Sequence, residues 1–299
     1  MAYPATTTID NLNIENKNTS IIWPAYLSQT LPMVHKIGVL DATETIEHNI
    51  VSGSLAALAP YARGATLPKD PVDTSVVSEI FARFGDIIEM DYANIENARG
   101  VDQLGQQSRS IGVRILRELT DQFFNGSGTP PALTGLIGRA DTTIDAATAA
   151  LTLAMLYELR YSVMPASEEG LGWGANAFFS HPDALVKLLS LLGTDVGALQ
   201  WVYREELNVS IPNFLGCDWI VDENIAVASD ETTIYAVNLD HIRIYYADNP
   251  DYPADPYGIM NVPVPMQDDI SEMGTLVTGV YAFENDPGAI AKLINVNIA

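Results

Sequence analysis

The sequence feature that most constrains this chain is a long helical pattern that ends in a glycine- and proline-rich turn. Within the stretch from Tyr92 to Gly138, apolar or small residues recur at steps of three and four: Leu104, Ser108, Ile111, Ile115, Leu119 and Phe123. This spacing predicts a helix of roughly 30 residues, about 45 Å long, with one buried stripe. Asn125-Gly126 predicts its end, with Gly126 in the left-handed C-terminal position, and the prolines at 130 and 131 prevent continuation. The other elements are therefore expected to be arranged around this helix.

Composition limits the classes of function that are open to the chain. Its 299 residues are 47% hydrophobic and 18% charged, which predicts one large core or two linked ones. No apolar run approaches the roughly 18 residues of a membrane-spanning helix, and the N-terminus shows no secretory signal pattern. We therefore expect no membrane partner and folding in a reducing cytoplasm. The net charge of −23 disfavours tight, sequence-independent binding of nucleic acid, because such binding neutralises phosphates with Lys and Arg.

The long helix carries a large share of the positive charge. Arg99, Arg109, Arg114 and Arg117 are four of only 15 Lys and Arg residues in the chain. One interpretation is a solvated helix with ordinary salt bridges. The other is a helix that meets an acidic neighbour in an assembly.

The segments on either side of the helix differ in pattern. Residues 1–38 are rich in Asn and Thr with scattered apolar anchors, which favours an extended arm. Residues 39–90 predict two strand-like arms around a turn-rich tip, and a two-stranded ribbon of this kind is marginal without other contacts. From residue 140 the pattern is mixed α/β. It predicts a helix over 147–163 capped by Asp145, a helix opened by His181-Pro182-Asp183, and a short last helix from Asp286-Pro287.

Residue types that can carry chemistry occur without the spacing that chemistry requires. Asn125–Thr129 lacks the preceding strand and following helix of a phosphate loop. Cys217 has no base nearby in sequence, which predicts a buried, inert thiol. His181 before Pro182 is typical of a helix start rather than of a catalytic base. An acidic group could offer oxygen ligands to Ca²⁺, but prolines interrupt it and its spacing does not match a calcium loop: Asp248, Asp251, Asp255, Asp268, Asp269 and Glu272. No enzyme, cofactor or metal signature is present.

Several short phrases, taken in order, match a known pattern. The end of the long helix matches a phrase in which the shared residues are Asn125, Gly126, Gly128, Thr129, Pro131, Leu133, Gly135 and Leu136. Upstream lie Tyr61-Ala-Arg-Gly-Ala and the segment VVSEIFARFGDIIEM, and downstream lie Ala177-Phe-Phe-Ser-His-Pro and Phe214-Leu-Gly-Cys-Asp-Trp-Ile-Val. Over residues 40–299 this order resembles the Hong Kong 97-type major capsid proteins of tailed bacteriophages.

The resemblance implies an α+β capsid fold and a structural function. It divides the chain into an N-terminal arm (1–40), an extended β-hairpin loop (41–86), a peripheral domain with the spine helix (87–139 and 246–299) and an axial domain (140–245). Subunits of that family form pentamers and hexamers of an icosahedral virion shell that encloses double-stranded DNA, assembled in the host cytoplasm. The partners implied are other copies of the chain, a separate scaffolding protein, a portal and decoration proteins. The DNA would be contacted weakly, and no cofactor is expected.

The resemblance also implies which residues contact neighbouring subunits. They lie on the arm, on the extended loop and on the spine helix: Trp23, Tyr26, Tyr61, Arg63, Lys69, Arg109, Arg114 and Arg117. Some members of the family form a covalent bond between a loop lysine and an asparagine of a neighbour. Lys69 with Asn285 or Asn295 would be the pair here, although no motif supports it, and an exposed turn lysine explains Lys69 as well.

Two other functions are compatible with the sequence. An encapsulin, a bacterial compartment of the same fold, would enclose an enzyme instead of DNA, and the Asn-rich arm in place of an N-terminal helix favours the virus. A soluble acidic α/β enzyme would instead be a monomer or small oligomer with a pocket of perturbed carboxylates or histidines.

Overall fold

The computed structural model describes residues 30–39, 45–51, 74–91, 103–165, 174–192, 199–205, 209–264 and 272–298. The helices are α1 (Thr30–Met33), α2 (Gln103–Asn125), α3 (Leu136–Arg139), α4 (Leu153–Tyr161) and α5 (Pro182–Leu192), with a 3₁₀ turn at Leu239–His241. The strands are β1 (His35–Val39), β2 (Thr45–Val51), β3 (Thr74–Ile80), β4 (Ala82–Asp91), β5 (Thr142–Asp145), β6 (Ala177–Ser180), β7 (Leu199–Arg204), β8 (Val209–Phe214), β9 (Cys217–Val221), β10 (Val227–Ala228), β11 (Glu231–Val237), β12 (Ile242–Ala247), β13 (Ile259–Val264), β14 (Glu272–Asn285) and β15 (Ile290–Asn297).

Among the residues that the structure describes, the strands form two sheets and a separate ribbon. In the first sheet the order is β1-β12-β14-β13, and β4 pairs with the long β14. In the second sheet the order is β5-β15-β11-β6-β9-β8-β7, with β10 beside β11. The ribbon consists of β2 and β3, paired antiparallel from Thr45↔Ile80 to Val51↔Thr74. The predicted α+β class is therefore confirmed, and so is a pair of ribbon strands in the described residues. The predicted second arm is too long, because residues 82–91 form β4 of the first sheet.

The long helix α2 packs its predicted stripe on the first sheet. Ile111, Ile115, Leu119 and Phe123 are buried in one core with sheet residues such as Val277. Residues 92–102 lie outside the described part of the chain, so the predicted start of the helix is untested. The end at Asn125 is as predicted.

The end of α2 also joins the two sheets through aromatic side chains. The ring of Phe123 meets Phe283 of β14 at 5.2 Å and Phe179 of β6 at 6.0 Å between centroids, both edge to face. Phe124 contacts Phe179 as well, at 5.6 Å. Edge-to-face contacts of this kind stabilise aromatic clusters beyond the area they bury. The helix therefore determines how one sheet sits on the other.

The turn after α2 differs from the prediction in one detail. The left-handed residue is Gly128, with φ +70°, and not Gly126. Gly126 is required because of crowding: a Cβ there would lie 2.2 Å from the carbonyl oxygen of Leu133 and 2.5 Å from that of Gln122. The turn folds back on the helix end, since the N–H of Gly135 donates to the Gly126 carbonyl at 2.9 Å.

Two predicted helices are wrong in extent or type. The segment 147–163 is helical only over Leu153–Tyr161, and its cap is Thr152, whose hydroxyl accepts from the N–H of Met155 at 3.3 Å. Asp145 instead ends β5, where its carboxylate accepts the N–H of Ala147 at 2.8 Å. The segment after Asp286-Pro287 is not a helix but strand β15. Pairing with β5 and β11 overrides the local start signal there.

Strands from the last part of the chain lie in both sheets. The resemblance places residues 246–299 together in the domain of the long helix, and that division stays a prediction. Strand β14 does lie in the first sheet, but β15 lies in the second sheet between β5 and β11. At the other end, residues 35–39 of the predicted arm form β1, which pairs in parallel with β12 of this same chain.

Candidate subunit interface

The residues predicted to contact neighbours fall into two groups. Trp23, Tyr26, Tyr61, Arg63 and Lys69 lie outside the described residues. The other three lie on α2, where Arg109 is half-buried and Arg114 and Arg117 are exposed. The structure brings these three onto one helix, and their contact with a neighbouring subunit stays a prediction.

Arg114 already has a weak partner in its own chain. Its Nη1 lies 3.4 Å from Oδ2 of Asp86 on β4, and the two side chains are 71% and 54% exposed. Such an exposed pair contributes about 0–1 kcal/mol to stability. Both charges are therefore available to a partner at little cost.

Next to this pair, α2 and β4 border an open groove of about 350 Å³. Ile87 of β4 projects beside it and is 49% exposed. Both polar and apolar residues line the groove: Asp86, Ile87, Ile88, Gln107, Ser110, Ile111 and Arg114. A large exposed aliphatic side chain between charges is typical of a protein contact surface rather than of a small-molecule site.

A second exposed apolar surface lies at the far end of the second sheet. Strand β7 is the edge of that sheet, and its Trp201 and Tyr203 are 61% and 56% exposed. On α5, Val186 and Leu189 also face solvent. Exposed tryptophan and tyrosine side chains are enriched in interfaces. No strand was expected at β7, although the run Trp201-Val202-Tyr203 is rich in the aromatic and β-branched residues that favour strands.

A buried ion pair, not expected from the sequence, lies where the ribbon meets the rest of the molecule. Arg139, at the end of α3, forms a two-pronged ion pair with Glu79 of β3, with Nη1–Oε1 at 2.8 Å and Nη2–Oε2 at 2.7 Å. The Arg139 side chain is only 9% exposed and that of Glu79 only 16%. No local sequence pattern indicates this pair, because its members are 60 residues apart.

Cys217 and His181, whose side chains could in principle take part in catalysis, make structural hydrogen bonds instead. The thiol of Cys217 is fully buried, donates to the carbonyl of Ala175 at 2.9 Å, and has its pKa raised by burial. This confirms the predicted burial of the thiol, and the raised pKa disfavours the thiolate, which is the reactive form. Nδ1 of His181 accepts the N–H of Asp183 at 3.3 Å and so helps begin α5, as predicted.

The acidic loop after β12 is held by its own carboxylates. Oδ1 of Asp255 accepts the N–H groups of Tyr257 at 2.8 Å and Ile259 at 2.9 Å, and Asp248 accepts that of Ala254 at 3.1 Å. Burial raises the pKa of Asp255 to about 6 despite these bonds. Asp268 and Asp269 lie outside the described residues. Within the part of the chain that is described, no group of three or more His, Cys, Asp or Glu residues is placed to hold a metal ion.

Of the residues in the possible covalent cross-link, Lys69 lies outside the described residues, whereas Asn285 and Asn295 lie within them. Asn285 is hydrogen-bonded at both ends of its amide: its Oδ1 accepts from Arg139 at 2.9 Å and its Nδ2 donates to the carbonyl of Asp286 at 3.1 Å. Nδ2 of Asn295 donates to Asp145 at 2.9 Å. Both amides therefore have partners within their own chain.

In the described residues, no helix is both long and apolar enough to span a membrane.

Comparison of the whole fold with solved structures gives matches over most of the chain. The encapsulin of the holo-SrpI complex from Synechococcus elongatus PCC 7942 matches with a TM-score of 0.67 at 15% identity, covering 89% of this chain and 86% of that one. The cyanophage A-1(L) capsid subunit matches with a TM-score of 0.64 at 15% identity, covering 89% and 92%. The chain has the Hong Kong 97 capsid fold.

Matches to this fold extend to other shells. The capsid subunit of a native GTA particle matches with a TM-score of 0.64 at 10% identity, covering 90% of this chain and 91% of that one. No protein-family model and no curated protein matches the sequence. At these identities the comparisons show a common fold over about nine-tenths of the chain.

Proposed function

We propose that this chain is the structural subunit of an icosahedral phage head, assembling with copies of itself as pentamers and hexamers. The observation that carries the proposal is the match of about nine-tenths of the chain to subunits of closed shells, with about nine-tenths of those subunits covered in return. In this proposal the first sheet and spine helix α2 form the peripheral domain, and the second sheet, including β15, forms the axial domain. The function is assembly, with no catalytic step.

The exposed surfaces support an assembling subunit. The ribbon carries Val76 with 64% of its surface exposed, and the edge strand β7 carries Trp201 with 61% exposed. These two apolar positions lie on different sheets. A shell subunit needs contacts in several directions, whereas a monomeric enzyme needs none of them.

The proposed contents of the shell are double-stranded DNA, contacted weakly. A net charge of −23 per chain supports a wall that does not bind the genome tightly. A separate scaffolding protein, a portal and decoration proteins complete the proposed set of partners, with assembly in the host cytoplasm.

An encapsulin-type compartment is the second candidate function, and one observation favours it. The match to the Synechococcus elongatus encapsulin, with a TM-score of 0.67, is as good as the matches to phage capsids. Such a shell would enclose an enzyme cargo. The fold is common to both kinds of shell, so the contents discriminate between them.

Electron microscopy of the purified full chain tests the proposal. We expect closed, uniform particles when the chain is produced alone or with its neighbouring genes. Nuclease-resistant DNA inside native particles supports the phage head, and a co-purified enzyme supports the compartment. A chain that stays monomeric at high concentration, and in lysates containing all its neighbouring gene products, contradicts both.

A further inference from the structure

The guanidinium group of Arg139 uses all five of its N–H donors. In addition to the two bonds to Glu79, Nε donates to the carbonyl of Thr134 at 2.7 Å, Nη1 to Oδ1 of Asn285 at 2.9 Å, and Nη2 to the carbonyl of Phe283 at 3.1 Å. An arginine side chain has five such donors in a rigid plane. We call this group, Arg139 with its four partners, the Arg139 clamp.

The clamp joins segments that are distant in sequence. Thr134 belongs to the turn after the spine helix, Phe283 and Asn285 end strand β14, and Glu79 belongs to the ribbon. Three of the four partners therefore hold Arg139 to the body of the molecule, and the fourth connects the body to the ribbon. Both carboxylate oxygens of Glu79 bond to Arg139.

The link between β3 and β4 is so short that the Arg139–Glu79 pair can control the angle between the ribbon and the first sheet. A single residue, Phe81, separates ribbon strand β3 from β4 of the first sheet. Rotation about one residue can change the angle of the ribbon, because each residue has two soft dihedral angles. A strand of seven residues spans about 23 Å, so a ten-degree rotation at its base moves its far end by roughly 4 Å.

We propose that the Arg139 clamp is a positioning device that fixes the angle at which the ribbon leaves the subunit, and through it the curvature of the assembled shell. The consequence for the shell rests on the proposed function, whereas the positioning itself does not. A two-pronged Arg–carboxylate pair is suited to this role because it restricts orientation as well as distance. Its burial makes an altered angle costly, since rotation would leave the Glu79 carboxylate without its ion-pair partner in a poorly solvated place and Arg139 without its counter-charge.

Glu79→Gln tests the clamp while leaving Arg139 attached to the body. The glutamine keeps the size of the side chain but offers one acceptor oxygen and adds a donor that faces Nη2. Arg139→Lys is a second variant that keeps the charge and loses the planar fork. Glu47→Gln is the matched control, because Glu47 is an exposed carboxylate on the paired strand β2 of the same ribbon.

Two measurements separate the clamp from the proposed function. The first is the distance between spin labels at Val76→Cys on the ribbon and Glu118→Cys on α2, in labelled chains diluted with unlabelled ones; buried Cys217 is not labelled. We expect a narrow distribution in the parent and Glu47→Gln chains and a broad one in Glu79→Gln and Arg139→Lys. The second is the distribution of particle diameters by electron microscopy, where we expect mixed sizes and open sheets only for the two clamp variants.

Each outcome has a definite meaning. An unchanged distance distribution in folded Glu79→Gln and Arg139→Lys chains overturns the clamp, whatever the particles look like. A broadened distribution with uniform particles of parental diameter supports the positioning role and overturns the link to curvature. If the parent chain forms no particles, the proposed function fails, while the label distances still decide the clamp.

Discussion

Asp255 is a half-buried carboxylate in a loop whose shape depends on it. Its Oδ1 accepts two backbone N–H groups, from Tyr257 and Ile259. Removal from water dominates over these bonds and raises its pKa to about 6. The pKa of the fully buried Tyr281 is also raised, mainly by burial of its phenol and secondly by the nearby charge of Asp255. The folded chain therefore holds a proton on Asp255 at pH values where the unfolded chain has lost it.

This shift predicts a specific pH dependence for Asp255→Asn. The folded-state pKa is raised, so the wild type loses stability as pH rises from about 4 to about 6, by roughly 2–3 kcal/mol for a shift of two units. The amide keeps Oδ1 as an acceptor and carries no charge. We expect Asp255→Asn to equal the wild type near pH 4 and to be more stable above pH 6.

Urea unfolding of both chains across this range measures the difference. Asp251→Asn is the control, because Asp251 is an exposed acid of the same loop. An Asp255→Asn chain that is less stable than the wild type at every pH would show that the loop needs the charge.

At the scale of elements, the turn after the spine helix connects the helix to the clamp. Gly126 and Gly135 meet backbone to backbone, and a Cβ on Gly135 would lie 2.5 Å from the nitrogen of Gly126. The turn leads directly into α3, whose last residue is Arg139. A displacement of this turn would therefore move the guanidinium group as well as the helix end.

Gly126→Ala is expected to destabilise the chain by about 1–3 kcal/mol or more, because backbone carbonyls occupy the space of the new methyl group. Gly138→Ala, twelve residues on, is the control. There the added Cβ would meet only a methyl group of Thr134, at 3.3 Å, and the gain in helix propensity is up to about 1 kcal/mol. Thermal unfolding of the two variants checks the order. Equal stability of the two would mean that the turn relaxes without cost.

At the scale of the whole molecule, charge and apolar surface oppose each other in assembly. Each chain carries a net charge of −23, so copies repel one another at a distance. The exposed side chains of Trp201 and Val76 attract once two copies are in contact. Salt weakens the first effect and leaves the second largely unchanged.

We therefore expect the yield of particles to rise with ionic strength from about 0.05 to about 0.5 M, where the screening length falls from above 10 Å to a few Å. Light scattering and sedimentation of the purified chain measure this yield. A yield that falls with salt would contradict the expectation. It would indicate that ion pairs, with Arg114 and Arg117 as the first candidates, dominate the contacts between subunits.

The sequence alone determined those features that depend on local spacing. The buried face of α2 follows from apolar residues at steps of three and four, and Phe123 and Leu119 lie where that spacing places them. The end of the helix follows from a glycine followed by prolines, and the ribbon from β-branched runs around a turn. The lack of any base near Cys217 in the sequence predicts an unreactive thiol. These are properties of a few neighbouring residues.

Features that depend on partners distant in sequence follow from tertiary packing. Strand β15 follows a good helix-start signal, yet it is a strand because β5 and β11 satisfy its backbone groups from both sides. Gly126 has a common backbone conformation and is needed because the Leu133 carbonyl returns to it. The pair of Arg139 and Glu79 joins two separate segments, and no local pattern encodes the distance between them. Residue spacing along the chain therefore predicted the spine helix, and contacts between segments distant in sequence determined how the ribbon is held.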